Sequence, residues 1–517
     1  MEDQNFYSSI SDQFYNDTQD AGLHISRDLI SRFIASILTK KFTIFSGSSG
    51  TGKTRLAQIF ARWLTPKYIA RTDPFSIGTE IPAQNISYYV SNSDKISVEL
   101  VNNFDQNKAT FTILPRLLIQ EWVNCIKENN FTLFTSARTI REEINKTSKY
   151  SPQLNSFETH LRAAAIAIIK NSENVQNFNC VEIIPVGADW TSTEQILGFP
   201  DALDPTVYRK TRALELILQA INNPNIPHFL ILDEMNMSYV ERYFSDILSA
   251  MESGEEIELY NANDNERSSV PHKINLPDNL FIIGTINVDE TTYQFSPKVL
   301  DRANVIEFHS NIKDIEKLLN NPRSLQLSNI DGKGNSFSTE FLARHRIFPT
   351  ADDIYTNIIK DEIISLVKIC SSLKFDIGFR TTLDIYKFTL YYQNINRNFM
   401  SEDEIFLKAM DAQIFQKILP RMNGSREGIG GLLHALAYWC GTDHTRDSSL
   451  APSSHSSRLE EMVKKAIKIG QEKYSETNSD NLNYELLTKN RFAMSFSKIN
   501  RMLRQLNFNR FVSFTDA

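Results

Sequence analysis

Lys41-Phe42-Thr43-Ile44-Phe45-Ser46-Gly47-Ser48-Ser49-Gly50-Thr51-Gly52-Lys53-Thr54 decides how this chain is read. Residues 42–45 form a short β-rich run. A glycine turn follows, and an amphipathic helix begins at about Lys53. Gly47, Ser48, Ser49, Gly50, Thr51, Gly52, Lys53 and Thr54 fit G-x-x-x-x-G-K-[ST] at every fixed position. Glycines there let backbone N–H groups turn inward around phosphate oxygens. Lys53 is placed to reach the β and γ phosphates, and Thr54 to bind Mg²⁺. The expected ligand is therefore Mg²⁺ with ATP or GTP.

Three more apolar runs lie downstream, each followed by polar residues, as strands buried on both faces of a parallel sheet read. They are VEIIPV from Val181, FLILDE from Phe229 and LFIIGTIN from Leu280. The second ends in Asp233-Glu234, at the carboxyl end of its strand, where open α/β sheets place ligands. Asp233 is expected to hold Mg²⁺, directly or through water. Glu234 is expected to orient and deprotonate an attacking water. The third run ends in Asn287. If it lies beside the Asp233 strand, Asn287 points at the γ-phosphate and the water; the plain alternative is an Asn that starts a turn. Arg302 closes a short helix just before a further strand, residues 305–308. An arginine there is suited to face a neighbouring subunit's nucleotide and offset charge in the transition state. A surface arginine is the plain alternative.

Composition bounds the class. The chain has 517 residues, 41% hydrophobic and 23% charged, with 18 Gly and 17 Pro. That is ordinary globular usage and excludes collagen-like or disordered classes. No run approaches 18 uncharged apolar residues, so no membrane span and no membrane partner are expected. The first basic residue is Arg27, after five acids, which does not read as a secretory leader. Cys125, Cys180, Cys370 and Cys440 are far apart, which excludes a CxxC zinc site and fits a reducing cytoplasm. Net charge is −7, so any nucleic-acid contact needs a local patch.

The expected fold is α/β: a parallel sheet flanked by helices, with an insertion and a helical C-terminal part. Residues 1–70 carry an N-terminal helix, from Arg27, and the start of the nucleotide core. Residues 71–180 are an α+β insertion, with strand-like runs at 86–90, 96–101 and 110–113 and helix-like runs at 117–127 and 157–169. Residues 181–310 complete the core, and residues 311–457 and 458–517 are helical. The insertion holds 11 basic and 11 acidic residues. It is formally neutral, which suits partner or regulatory docking, or plain structural elaboration, better than phosphate tracking. Between Leu486 and Thr515 there is no acid, and basic residues alternate with Phe492, Phe496, Phe508, Phe511 and Phe514. Such a tail can stack on single-stranded nucleic acid. Phe492, Phe496, Ile499, Leu503 and Leu506 recur at helical spacing, so a buried helix face with basic residues on its solvent side is the simpler expectation.

Taken in order, GSSGTGKT, FLILDE, the strand ending in Asn287 and SPKVLDR resemble the AAA+ class. Within it the chain is similar to the McrB-like branch, the NTPase subunits of modification-dependent restriction systems. That likeness rests on residues 233–255, on PVGADWTSTEQILGF from Pro185 and on LKAMDAQIFQKILPRMNGS from Leu407. The resemblance implies a P-loop AAA+ sheet with a helical lid, over 311–457, and rings, often hexamers, with nucleotide between subunits. It also implies a separate nuclease subunit and DNA reached directly or through that partner. A lid arginine touching nucleotide is implied too, and Gly378-Phe379-Arg380-Thr381-Thr382 carries that role to Arg380, the plain alternative being an arginine that caps or pairs on a helical surface. The sequence departs from the branch after Asn287, where Thr291 stands in place of an arginine, and in having only about 40 residues before the glycine turn. A MoxR-like remodelling chaperone and a slow nucleotide-dependent switch are the competing functions. No PD-(D/E)xK core or G-x-S-x-G is present, so any cleavage of DNA falls to another chain.

Overall fold

The anticipated apolar runs pair into one parallel sheet. Its strands are β1 (Phe42–Gly47), β2 (Val181–Pro185), β3 (His228–Asp233), β4 (Leu280–Asn287) and β5 (Asn304–Glu307), in the order β5-β1-β4-β3-β2. The computed structural model describes residues 2–65, 80–83, 86–89, 95–101, 108–115 and 180–514, without 24, 205–206, 261–269, 289–292, 294, 310–315, 317–318, 320–326, 350–352, 443–451 and 476–490. Register is continuous where it matters. Phe42 to Gly47 pair with Ile282 to Asn287, and Leu280 to Gly284 pair with His228 to Leu232.

Every residue of β1 and β4 is buried. Successive side chains point to opposite faces of the sheet. Phe42, Ile44, Leu230, Leu232 and Ile282 enter one apolar layer, while Phe45, Phe229, Ile231, Phe281 and Ile283 enter the other. Both layers are covered by helices, which is why the strands read as unbroken apolar runs rather than alternating ones. An Ile→Ala change in either layer costs ~2–5 kcal/mol.

Helices α1 (Glu2–Asp20), α2 (Arg27–Thr39) and α3 (Lys53–Leu64) build the second layer. The sequence reading starts the first helix at Arg27, after a stretch rich in acids and amides. Phe6, Ile10 and Phe14 nevertheless fall four apart on one face of α1 and are buried, with Phe14 5.1 Å from the Phe60 ring. Ser26 caps α2 by accepting from the Leu29 N–H, and Asp28 lies in its first turn. The first layer is covered by α4 (Arg212–Asn222), α5 (Ser245–Ser253) and part of the C-terminal region.

That region is helical: α6 (Ser338–Arg346), α7 (Asp353–Ser372), α8 (Phe379–Asn396), α9 (Glu402–Gln413), α10 (Arg426–Gly441), α11 (Pro452–Ser475) and α12 (Ala493–Asn509). After α9 the chain widens into a π turn, Ile414–Ile418, then tightens into a 3₁₀ turn, Leu419–Arg421. Helix α11 runs across residue 457, so the expected division there falls inside a helix. Leu459, Phe492 and Phe496 share the core of Leu432 and Trp439. The buried face expected of α12 is present, but two of its expected solvent-side cations are not solvent-facing. Lys498 is buried against Glu307 (3.0 Å), and Arg491, just before α12, is buried against Glu362 (2.6 Å). Each meets a carboxylate from a distant element, which offsets the cost of burying its charge.

The chain divides into two compact units, Met1–Thr65 with Val181–Ala517, and Pro66–Cys180. The second contains a four-stranded antiparallel sheet, Glu80–Ala83, Ile86–Tyr89, Lys95–Val101 and Lys108–Pro115, in sequence order. These strands include the described parts of the three strand-like runs. Residues 117–127 and 157–169 lie outside the described residues. Among the described residues no helix is long and apolar enough to cross a membrane.

Candidate functional site

The site starts where β1 hands over to α3. Gly47 has φ +150°, and a Cβ there would stand 2.6 Å from the Phe308 carbonyl oxygen, so a side chain has no room. Gly50 and Gly52 face open space, yet their φ values of +78° and +89° lie in the left-handed region that favours glycine. Ser48, Ser49 and Gly50 are exposed at the tip of the loop. Lys53 is buried beneath it. Its ammonium donates to the loop's own carbonyls, Gly47 O at 2.8 Å and Ser48 O at 2.6 Å, and lies 3.5 Å from Thr51 Oγ1.

Three strand ends meet this loop. Because β4 lies between β1 and β3, Asn287 stands opposite Gly47, and Asp233 ends the neighbouring strand. The condition set for Asn287 by the sequence reading is met: its strand does lie beside the Asp233 strand. A chain of short hydrogen bonds links the residues. Thr54 Oγ1 donates to Asp233 Oδ1 at 2.6 Å, and Thr285 Oγ1 donates to the same oxygen at 2.6 Å. The Glu234 N–H donates to Thr285 Oγ1 at 3.0 Å, and Asn287 Nδ2 donates to Glu234 Oε1 at 2.9 Å. Glu234 itself has φ +54°, a conformation uncommon for a non-glycine residue, held here by its neighbours. The left-handed step turns the chain sharply as it leaves β3.

Thr285 was not singled out from the sequence, although a signal existed. It lies two residues before Asn287 on the same strand, hence on the same face. Its neighbour Gly284 is also constrained, since a Cβ there would meet Met235 Sδ at 2.5 Å. Thr54 and Asp233 present hard oxygen donors side by side, the kind Mg²⁺ takes together with phosphate oxygens and water. Among the described residues no group of three or more His, Cys, Asp or Glu is arranged to hold a metal by itself.

The two predicted arginines form a separate group. Arg302 is buried. Its Nε donates to Leu248 O at 2.9 Å, its Nη1 donates to Lys298 O at 2.6 Å, and its Nη2 pairs with Glu252. Arg380, near the start of α8 and half-exposed, reaches the other oxygen of Glu252 at 3.2 Å. Burial first, and the nearby Arg380 charge second, push the Arg302 guanidinium below its usual range. Glu252, near the end of α5, thus joins two arginines that the sequence reading assigned to nucleotide, and it was not anticipated. Thr291 lies outside the described residues.

Comparison with known families matches residues 339–511 to a domain of unknown function, DUF8727. That segment holds α7 to α12, including Arg380. No curated protein matches the chain.

Proposed function

We propose that the chain is a nucleoside triphosphatase with an AAA+ core, by resemblance a McrB-like motor subunit of a restriction or antiviral complex. The observation that carries this is the continuous hydrogen-bond chain Thr54–Asp233–Thr285–Glu234–Asn287, in which two adjacent parallel strands, β3 and β4, meet the first turn of α3 at the mouth of a glycine loop. Such a loop offers main-chain N–H groups to phosphate oxygens. Lys53 exchanges its carbonyl partners for the β and γ phosphates. Thr54 and Asp233 are the residues that would hold Mg²⁺, which when bound draws charge from the polyphosphate. Glu234 takes the proton of the attacking water, and Asn287 fixes its carboxylate through the amide N–H. Arg302 then serves a nucleotide on a neighbouring copy in a ring, often a hexamer in the branch resembled, and Arg380 serves from the lid. A separate nuclease subunit would supply DNA cleavage.

The test is ATP and GTP turnover by wild type and Glu234→Gln, with nucleotide binding followed by calorimetry. The expected result is retained binding and a rate lowered about 10²- to 10⁴-fold, the usual contribution of a positioned base. Equal rates for the two proteins remove Glu234 from the role of base. Folded wild-type protein that takes up neither nucleotide removes the whole reading.

A further inference from the structure

Lys417 is wholly buried, in the π turn that follows α9, and the proposed chemistry does not use it. Its ammonium donates to three backbone carbonyls, Leu300 O at 3.3 Å, Asp301 O at 2.9 Å and Ala303 O at 2.7 Å. These belong to the turn that carries Arg302, and two of them flank that residue directly. The short helix Pro297–Leu300 ends here, where carbonyls lack intrahelical partners. Three N–H donors match three carbonyls only in the ammonium form of lysine. Asp384 supplies the counter-charge, 3.5 Å from Lys417 and 2.7 Å from Lys40. Lys40 also donates to Asp301 O at 2.5 Å. Arg421, just after the π turn, reaches the Asp301 carboxylate at 3.2 Å.

Three parts of the fold therefore converge on one turn. Lys40 lies just before β1, which leads into the glycine loop. Asp384 sits one helical turn after Arg380 on α8. Lys417 and Arg421 come from the segment after α9. Asp384, Lys417 and Arg421 all fall within the stretch matched to the domain of unknown function. A π turn inserted in a helix is often a functional feature, and here it carries the lysine that holds the turn.

We propose that Lys417, with Asp384, Lys40 and Arg421, positions Arg302, so that the C-terminal helical region sets where this guanidinium stands for catalysis across the subunit interface. The inference rests on the role assigned to Arg302 above. These are positioning residues: Lys417 holds the backbone on both sides of Arg302, Lys40 shares the Asp301 carbonyl, Arg421 holds the Asp301 carboxylate and Asp384 holds the two lysines, while the guanidinium is left to Leu248, Lys298 and Glu252.

The test uses the full chain and four variants: Lys417→Met, Arg302→Ala, the double variant, and Lys53→Ala as a mixing partner. Lys417→Met keeps the length of the side chain and removes its charge. Expected is a kcat lower by about a hundredfold, the size of effect a 1 Å misplacement of a catalytic group produces, with KM within about twofold and nucleotide binding intact. The double variant should be no slower than Arg302→Ala alone. Lys417→Met mixed with Lys53→Ala should regain turnover, because one supplies the loop and the other the arginine; mixed with Arg302→Ala it should not. Wild-type turnover by Lys417→Met, additive losses in the double variant, or recovery with Arg302→Ala each overturn the proposal. If Lys417→Met loses its cooperative melt, Arg421→Gln carries the test: the same pattern at about tenfold supports it, and wild-type turnover overturns it. Wild-type turnover by Arg302→Ala overturns the role of Arg302 and this inference with it. Loss in Arg302→Ala without loss in Lys417→Met overturns this inference alone.

Discussion

The mouth of the glycine loop and the Arg302–Glu252–Arg380 group are built on opposite principles. The first is a row of hydroxyls, an amide and two carboxylates from two adjacent strands, β3 and β4, and the first turn of α3, with bonds of 2.6–3.0 Å. Strand register fixes every member except Thr54, which the start of α3 supplies directly after the loop, so no side chain has to travel to meet its neighbour. The second brings two cations to one anion from α5, α8 and the turn before β5, and both Glu252 and Arg380 are half-exposed. Helix packing fixes those members, and solvent screens part of their attraction. Adjacent strands make a rigid site, whereas helix ends make one that can exchange partners when another anion arrives.

Four substitutions and one titration break or sharpen that contrast. The largest effect belongs to Lys53→Ala, which removes the only cation of the loop. Turnover should fall by about a thousandfold or more, with nucleotide affinity falling as well; retained affinity in a binding titration would show that the loop amides suffice. Gly47→Ala comes next, because its Cβ must displace the Phe308 carbonyl. A cooperative melt lowered by about 1–3 kcal/mol of stability, with weakened binding, is expected.

Thr285→Val follows. It keeps the shape, removes one donor from Asp233 and leaves the Glu234 N–H unpaired, at a cost of about 1–3 kcal/mol. Denaturant unfolding measures that loss, and turnover should fall because Glu234 is no longer anchored. Glu252→Gln keeps an oxygen that can still accept from the arginines and loses a charge that stands half-exposed, so stability should change by less than about 1 kcal/mol, and the Arg380 share of the change should shrink further in high salt. If Glu252→Gln proves the more destabilising of these two, the contrast between a rigid and an exchangeable group fails.

The smallest effect is on pH. Burial lowers the His228 and His345 imidazoles from 6.5 to about 4. Between those values the unfolded chain binds protons that the folded chain refuses, so stability rises with pH across that window. It is fully present above about pH 6.5 and is lost as pH falls toward 4, by up to about 1.4 kcal/mol per pH unit for each histidine. Melting temperature measured from pH 7 to 5 should fall, and His228→Gln should flatten the fall. An unchanged slope in that variant would assign the acid sensitivity elsewhere.

Local pattern carried the strands because burial on both faces forces unbroken apolar runs, and 42–45, 229–232 and 280–286 are such runs. It carried Asp233, Glu234 and Asn287 because polar residues at the carboxyl ends of those runs have one place to go. It missed α1, whose apolar residues are sparse among acids and amides, and it missed Thr285, which sits within a run read as apolar. Glu252 and Lys417 left no local signal at all. One lies in a helix of ordinary composition. The other reads as a surface lysine until the π turn buries it.

The order of residues by itself determined a glycine loop between a strand and a helix, and the strand ends that face it. These are short-range matters of backbone freedom and side-chain periodicity. Only the tertiary structure decided that β4 separates β1 from β3, that Arg302 and Arg380 share Glu252, and that Lys417 grips the turn around Arg302. Those pairings join residues that the chain holds far apart, and a charge finds its partner there only after the layers have closed and water has left.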